Sequence, residues 1–413
     1  MKKILVAILT VCMAVMCFAG CGGGEDKKGG TTGGNETKGK DLSNIKIGFI
    51  FLHDEKSTYD LNFMNAARNA QKNLGLTDEQ VMFKYPVAED QACYDAAADL
   101  ADKKCDIVFA DSFGHEQWLI KAANEFTNVQ FCHATGTKAH TEKLANFHNA
   151  FATIYEGRYL AGIVAGLKLN EMIKEGKITA EQAVMGYVGA FPYAEVKSGY
   201  TAFYLGAKSV CPSVTMKVDF TTAWYSVDDE RDVANSLMDQ GCVLISQHAD
   251  SLGAPSACEA RKVPNVSYNG STIETCPETF MVSSRIDWTP YFEYIINCVV
   301  KGEEIKTDWT GTLATGSVVL TDVNEKVVAE GTKAAVEEAK AKLEKGEIHV
   351  FDTDTFTVKG EKLTTYLADV DDFGDYKPET EAVKDGYFHE SEYRSAPYFD
   401  VDIDGITILS TGK

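Results

Sequence analysis

The chain has 413 residues, a formal net charge of −21 at neutral pH and a hydrophobic content of 45%. Such an excess of acidic residues argues against nucleic acid and anionic lipid surfaces as partners, because both would repel the protein. The length exceeds that of one ordinary domain and suits two.

The N-terminus has the features of an export signal. Lys2 and Lys3 precede an uncharged run from Ile4 to Ala19, whose length suits a signal-peptide core better than a membrane span. The run leads through Ala19-Gly20 to Cys21, and small residues directly before a cysteine are required for lipoprotein processing. We therefore expect residues 1–20 to be removed and Cys21 to be lipidated, which would hold the protein on the extracytoplasmic face of the cell membrane. The alternative is an ordinary signal peptide followed by an incidental cysteine.

A polar segment follows the signal. Residues 22–40 contain no apolar side chain, so we expect residues 21–43 to form a lipidated flexible tether. Gly34 to Lys40 has the glycine and lysine spacing of a phosphate-binding loop, but Asp41 replaces the hydroxyl residue that would bind magnesium and no strand precedes it. The spacing is therefore interpreted as incidental.

From residue 45 onward, short apolar runs alternate with segments of helical period, which predicts parallel sheets with helices on both faces. The first series of alternating strands and helices comprises 45–51, 58–74, 81–85, 92–101, 107–110, 115–126 and 129–133. The second series comprises 155–169, 184–188, 195–208, 214–220, 228–240, 243–246, 251–261 and 266–268. A helix over 288–300, a charged amphipathic helix over 332–345 and a tail of short strands and turns over 353–413 complete the pattern.

These series predict an α/β protein made of two doubly wound parallel-sheet lobes joined by a hinge. We assign residues 44–152 and 270–312 to the first lobe, and residues 153–269 and 313–413 to the second.

Small residues recur along the helix that contains Gly157, Gly162 and Gly166, which predicts close helix packing. Eight cysteines follow Cys21, several of them within apolar runs, and there is no Cys-x-x-Cys pair. We expect these thiols to be free and buried.

Several segments, in matching order, resemble the basic membrane protein family, whose best understood members are purine nucleoside receptors of ABC transporters. The resemblance runs from about Ile45 to Thr312 and depends on the following segments: Asp111-Ser112-Phe113-Gly114, Glu156 to Gly166, Gly186 to Pro192 with Glu195-Val196, Ala202-Phe203 with Leu205-Gly206-Ala207, Trp224, and Gln247 to Ser251. It implies a type I periplasmic-binding fold, a purine nucleobase or nucleoside as ligand, and ABC permease subunits as partners. It implies no cofactor.

A purine has flat apolar faces and polar edges, so its site requires aromatic side chains and a few directed hydrogen-bonding groups. The resemblance implies that Trp224 stacks on the base, and Tyr59 or Phe113 is a candidate for the opposite face. Each of these rings could equally serve in the core.

The polar candidates stand mostly where strands become loops. Asp54 lies in a segment that resembles an acidic ligand-contacting motif, and Gln117 stands where relatives often carry an Asp that binds the base edge. His248 and Asp250 follow one strand, although a lone histidine there is more often structural. Asn269 occupies the position of a ribose-binding Asp, and the candidates near the family's ribose-binding Lys are Arg285 and Trp288. Because an amide is a weaker partner for a diol than a carboxylate, a free base is at least as plausible as a nucleoside.

Three alternatives remain open at this stage. Asp400 to Gly405 matches the start of a calcium-binding loop, but Thr411 stands where a bidentate Glu is needed and the segment also fits a strand and turn. Asp111, His248 and Asp250 could act as acid and base in a nucleoside hydrolase-like enzyme, although no catalytic motif supports this. The same cleft could also serve a surface sensor that works without a transporter.

Overall fold

The computed structural model describes residues 39–370 and 378–410. The first half of the chain contains β1 (Ile47–Ile50), α1 (Thr58–Leu74), β2 (Val81–Lys84), α2 (Gln91–Asp102), β3 (Ile107–Ala110), α3 (Glu116–Glu125), β4 (Gln130–Ala134), α4 (Ala139–Glu142), β5 (Phe147–Ala152), α5 (Ile154–Lys174), β6 (Val184–Gly189), α6 (Ala194–Val210) and β7 (Thr215–Phe220). The second half contains α7 (Val227–Asp239), β8 (Leu244–His248), α8 (Gly253–Arg261), β9 (Asn265–Tyr268), β10 (Phe280–Ile286), α9 (Thr289–Lys301), β11 (Asp308–Gly311), β12 (Val318–Leu320) and α10 (Thr332–Glu344). Five short strands follow: β13 (Leu367–Ala368), β14 (Thr380–Glu381), β15 (Val383–Lys384), β16 (Tyr387–Phe388) and β17 (Ile406–Ile408).

The first lobe is built on a six-stranded sheet with the order β2-β1-β3-β4-β5-β11. All of its strand pairs are parallel. The central strands β1 and β3 are buried along their whole length, as expected where helices cover both faces of a parallel sheet. Phe49 and Phe109 lie in the core on one face of the sheet, with Phe292 of α9 in edge contact with both.

The second lobe is built on a seven-stranded sheet with the order β12-β10-β9-β8-β6-β7-β17. Only β12 runs antiparallel to its neighbour. The order therefore repeats that of the first sheet around the two central strands β6 and β8. In both sheets the strand order reverses beside the first strand, which places a crevice at the carboxyl ends of the strands. The predicted pair of doubly wound sheets is confirmed.

Three connections cross between the sheets and form the hinge. They lie at Thr153, at residues 287–288 and at residues 312–317, between β5 and α5, β10 and α9, and β11 and β12 respectively. The sequence analysis placed the second crossing at residue 270, but β10 pairs with β9, so the chain stays in the second sheet until Ile286.

The packing of α5 against α6 explains the recurring small residues. A Cβ atom on Gly162 would lie 2.1 Å from the carbonyl oxygen of Phe203, and one on Gly206 would lie 2.0 Å from that of Tyr159. These contacts leave no room for any side chain, so the two helices approach backbone to backbone. The prediction that the small residues of this helix serve close packing is confirmed.

The C-terminal tail contacts both lobes. Strand β17 extends the second sheet beside β7, while the backbone N–H of Ser395 donates to Asp308 of β11 in the first sheet at 2.7 Å. Asp400 and Asp402 lie 2.5 and 2.9 Å from the Lys197 ammonium. Asp404 accepts a hydrogen bond from the backbone N–H of Gly360. The acidic residues of the segment that resembles a calcium loop thus bind other parts of this chain.

Eight cysteines lie in the described part of the chain. They are free and buried, as expected from their apolar surroundings: Cys93, Cys105, Cys132, Cys211, Cys242, Cys258, Cys276 and Cys298. Within residues 39–370 and 378–410, no helix combines the length and apolar character needed to cross a membrane. The predicted signal, Cys21 and nearly all of the predicted tether lie outside the described residues.

Candidate ligand-binding site between the two lobes

A cavity of about 380 Å³ lies between the lobes. Its wall is formed by residues of both lobes: Leu52, His53, Tyr59, Asp60, Ser112, Phe113 and Thr135 from the first, and Glu195, Trp224, His248, Asp250 and Tyr268 from the second. The cavity is thus completed only when the two lobes meet.

The topology explains why these residues converge. Leu52, Ser112 and Thr135 directly follow or stand near the carboxyl ends of β1, β3 and β4, and His248 and Tyr268 end β8 and β9. Because neighbouring parallel strands end at the same edge of a sheet, these loops meet in the crevice of each lobe. The facing crevices then form one enclosed site.

Four aromatic side chains line the cavity: Tyr59, Phe113, Trp224 and Tyr268. Phe191 packs edge-on against Trp224 at 5.2 Å between ring centroids and stacks on Tyr193 at 5.1 Å. Tyr193 also lies 5.8 Å from Phe113 of the opposite lobe. The aromatic side chains therefore form a continuous set of contacts from one lobe to the other, with Phe191 and Tyr193 between Trp224 and Phe113.

The first lobe supplies a buried carboxylate, Asp60. Ser57 is the N-cap of α1, and its hydroxyl oxygen accepts from the backbone N–H of Asp60 at 3.2 Å and donates to the carboxylate of Asp60 at 2.6 Å. The backbone N–H of His53 donates to the same carboxylate at 2.8 Å. Burial opposes ionisation of Asp60, but the hydrogen bonds from His53 and Ser57 outweigh it and lower the pKa of Asp60.

Asp111 lies beside Asp60, and the pair titrates asymmetrically. Burial and the neighbouring charge of Asp60 raise the pKa of Asp111 well above its usual range. Its side chain accepts a 3.2 Å hydrogen bond from the backbone N–H of Leu52. Two adjacent carboxyls cannot both be charged at low cost, so the geometry favours a neutral Asp111 next to an ionised Asp60.

The second lobe adds Glu195, near the N-terminus of α6, and Asp250, in the loop after β8. The carboxylate of Glu195 lies 3.4 Å from Nε2 of His248, and burial lowers the pKa of that histidine, which favours its neutral form. Asp250 receives a 3.3 Å hydrogen bond from the side-chain amide of Asn269. Burial, followed by the charges of Asp60, Glu230 and Glu195, raises the pKa of Asp250 well above its usual range.

The lobes touch around the cavity. The backbone N–H and the hydroxyl of Thr58 both donate to the carbonyl oxygen of Asp250, at 3.0 and 3.2 Å. The ring of His53 lies 5.4 Å from that of Tyr225. Near the hinge, the side-chain amide of Asn62 donates to the carbonyl oxygen of Ile286 at 2.6 Å. These contacts correspond to a closed arrangement of the lobes.

The structure places five of the ten candidate ligand residues in the cavity wall: Tyr59, Phe113, Trp224, His248 and Asp250. Asn269 stands directly behind, bonded to Asp250. It takes a left-handed backbone conformation, with a φ of 65°. Their part in binding a ligand stays a prediction, but they do come together at one place.

Four other candidates lie outside the wall, and their expected positions are corrected. The side chain of Asp54 is 42% exposed and lies 3.9 Å from Lys56. Gln117 is exposed on α3. Arg285 faces a separate polar groove, where it lies 3.4 Å from Asp287. Trp288 is buried in the first-lobe core, stacked on Phe63 at 4.5 Å between ring centroids.

Sequence reasoning missed several wall residues: Leu52, His53, Asp60, Ser112, Thr135, Glu195 and Tyr268. For Asp60 the available signal was ambiguous, because Ser57-x-x-Asp60 also reads as a helix cap. Glu195 and Ser112 lay within segments that carried the family resemblance. Tyr268 was interpreted only as a strand residue, although it ends a strand where ligand residues gather.

The two parallel-sheet lobes, the three hinge crossings and the cavity between the lobes define a type I periplasmic-binding fold. A solute-binding protein of an ABC transporter system from Aeropyrum pernix has the same fold, with a TM-score of 0.62 at 18% identity. The match covers 74% of this chain and 93% of that one.

The chain belongs to the family of PnrA-like ABC transporter substrate-binding proteins, which it matches over residues 50–353. A purine-binding protein of Brucella abortus is 28% identical over 79% of this chain and 93% of its own length. A putative ABC transporter glucose-binding protein of Haloferax volcanii is 31% identical over 54% of each chain. Members of such a family bind their solute outside the cytoplasm.

Proposed function

We propose that this protein is the lipid-anchored receptor of an ABC importer and that it holds a purine nucleobase in the interlobe cavity. The observation that carries the proposal is the wall itself, in which aromatic rings from both lobes alternate with carboxylates and hydroxyls. The flat apolar faces and the polar edges of a purine match such a wall. The name of the Brucella relative points to the same ligand class.

The residues that the sequence analysis expected near a ribose do not line the cavity. Trp288, a candidate near the expected ribose position, is in the core. Asn269 already uses its amide to bind Asp250.

Closure of the lobes explains how the receptor works. Ligand enters when the hinge is open, and the contacts between Thr58 and Asp250 form when the lobes close around it. A closed pair of lobes then presents one composite surface to membrane permease subunits. The anchor at Cys21 would keep the receptor beside that permease, with a signal peptide removed ahead of it.

The ligand is tested by denaturing the purified protein and identifying the released small molecules by mass spectrometry. Isothermal titration with adenine, guanine and D-glucose then compares the ligand classes named for the two curated relatives. We expect a purine to be released and to bind, and glucose to give no heat. Binding of glucose without binding of any purine would reject the proposed ligand.

The transport role and the anchor need separate tests. Deleting the gene is expected to reduce uptake of radiolabelled purine, and incubating the protein with inosine is expected to yield no free base.

Mass analysis of the mature N-terminus should show a diacylated Cys21, and a Cys21→Ser variant should be released from the membrane. Membrane retention of that variant would contradict the anchor without affecting the assigned ligand.

A further inference from the structure

The polar groups that line the cavity are mainly hydrogen-bond acceptors. Three of them are the carboxylates of Asp60, Glu195 and Asp250. The described wall includes neither lysine nor arginine. A ligand placed here therefore meets negative charge and lone pairs from both lobes.

The hydroxyls of the wall add to this excess, because their hydrogens are already in use. Tyr59 donates to the carbonyl oxygen of Asp111 at 2.7 Å, and Ser112 donates to Glu89 at 2.6 Å. Thr135 donates to the carbonyl oxygen of Ala134. Each hydroxyl oxygen is left able to accept but not to donate.

Few donors remain to balance these acceptors. The hydroxyl of Tyr268 and the indole N–H of Trp224 have no hydrogen-bond acceptor among the described residues, and the ring of His53 keeps one nitrogen without a partner. Arg158 is a buried cation close to this wall, with its guanidinium 5.0 Å from the ring centre of Tyr268. It donates to Tyr187 and Ser246 and does not line the cavity.

Buried carboxylates without a cationic partner are costly, and a ligand that supplies donors offsets that cost. Asp250 is the clearest case, since its one side-chain partner among the described residues is the Asn269 amide. Burial and the nearby charges raise its pKa, so its carboxyl is favoured neutral in the empty cavity, and a ligand that donates to both oxygens would favour the ionised form. An amino group beside a ring N–H presents two parallel donors to a carboxylate, as a guanidinium does. A purine without an amino group lacks that pair.

We infer that the base held in this cavity carries an exocyclic amino group, and that Asp250 is a specificity-determining residue for it. This inference rests on the proposed function, because it concerns the edge of a purine already placed in the cavity. Guanine, whose 2-amino group lies beside N1–H, should bind more tightly than hypoxanthine, and adenine, which offers an amino donor without an adjacent ring N–H, should bind more tightly than unsubstituted purine. Xanthine and uric acid should bind weakest, since each readily becomes an anion that the carboxylates repel.

The test is isothermal titration of the ligand-free protein with this set of six bases. Guanine and hypoxanthine differ only by the 2-amino group, so their ratio isolates its contribution. We expect at least a tenfold preference for guanine, because a site built to hydrogen-bond a donor discriminates strongly against an analogue that lacks it. If the amino group that matters is at position 6 instead, adenine will exceed unsubstituted purine by a similar factor.

The variant Asp250→Asn cannot ionise, so it cannot offer a ligand two acceptor oxygens. It should weaken aminopurine binding at least tenfold while leaving hypoxanthine within about threefold. Asp239→Asn is the matched control, because that side chain is 71% exposed and pairs with Arg261. The interlobe bond from Thr58 reaches the backbone of Asp250 and is retained in the variant.

The outcomes are distinguishable. Equal affinity for guanine, adenine, hypoxanthine and xanthine would overturn the inference but leave purine binding intact. An equal loss for all bases in Asp250→Asn, with unchanged thermal stability, would likewise reject Asp250 as the discriminating residue. Failure of every purine to bind would instead remove the proposed function itself.

Discussion

Thr58 and Asp250 join the two lobes through one carbonyl oxygen. The backbone N–H of Thr58, the first residue of α1, and its hydroxyl both donate to the carbonyl oxygen of Asp250, at 3.0 and 3.2 Å. The first N–H groups of a helix have no partner within the helix. Closure of the lobes therefore gives the N–H of Thr58 a partner and joins α1 to the loop that carries Asp250.

Thr58→Pro removes both the N–H and the hydroxyl that donate to Asp250, with little cost to α1. Proline is favoured at the first position of a helix, and Ser57 before it has an extended backbone with a ψ of 124°, as a residue before proline requires. We expect ligand affinity to fall about tenfold, because loss of an interlobe hydrogen bond removes on the order of 1 kcal/mol or slightly more. Titration of the variant with guanine or adenine measures the effect.

Val227→Pro is the matched control, because Val227 is the first residue of α7, follows the extended Ser226 and is 44% exposed. It should leave affinity unchanged. Small-angle scattering should show that ligand compacts Thr58→Pro less completely than the wild type. Identical affinities for the two proline variants would show that the Thr58 contact does not stabilise the closed state.

Trp224 is the ring that the sequence analysis expected to stack on the base, and it lies in the cavity wall. Stacking contributes roughly 1–3 kcal/mol per base in nucleic-acid binders. Trp224→Ala should therefore weaken binding by about one to two decades, mainly through faster dissociation. Trp224→Phe keeps a flat ring beside Phe191 and should retain most of the affinity. If both variants bind like the wild type, the stacking role belongs to another ring.

The strand and helix pattern of the sequence predicted both sheets because buried parallel strands are nearly all apolar. The strands Ile47–Ile50 and Ile107–Ala110, for example, contain no polar residue. What the pattern did not predict is the place of the second crossing. That place depends on β10 pairing with β9 across the turn-rich stretch 270–279, and strand pairing over such a stretch leaves no local signal.

For the site residues, a position directly after a strand predicted membership of the cavity wall better than correspondence to a family position did. Asp250 and His248 were found because they follow a strand, whereas Gln117 was selected by family position alone. On a helix, adjacent residues point about 100° apart. Glu116, the residue before Gln117, points inward. Its carboxylate accepts hydrogen bonds from the backbone N–H groups of Thr137 and Lys138 and from the side-chain amide of Asn149. A shift of one residue thus separates a buried structural carboxylate from an exposed amide.

The eight buried cysteines should be unreactive in the folded protein. Burial raises the pKa of Cys132 to about 12 and those of Cys105, Cys242 and Cys276 to about 11, so little thiolate is present at neutral pH. Titration with a thiol reagent should detect none of the eight in the native state and all eight in denaturant, apart from any signal at Cys21. Fewer than eight after denaturation without reductant would indicate a disulfide.

Glu230 should make folding pH-dependent in the direction opposite to that of an ordinary surface carboxylate. Burial raises its pKa to about 7, although its carboxylate accepts hydrogen bonds from the backbone N–H groups of Ser226 and Ser251. Unfolded, this group titrates near 4.5. Between these two values the folded state binds the extra proton, so the contribution of Glu230 to stability falls as pH rises from about 4.5 to about 7.

Glu230→Gln keeps an oxygen that can accept from Ser226 and Ser251 but removes the charge. At pH 8 the variant should gain up to about 3 kcal/mol in the free energy of unfolding, and near pH 4.5 it should match the wild type to within about 0.4 kcal/mol. Urea denaturation at the two pH values measures the difference, with Asp239→Asn as an exposed control that should change neither. A gain of equal size at both pH values would show that the effect comes from packing. A gain that arises from the removed charge must shrink to about 0.4 kcal/mol near pH 4.5, where the folded carboxyl is neutral and the unfolded one is half ionised.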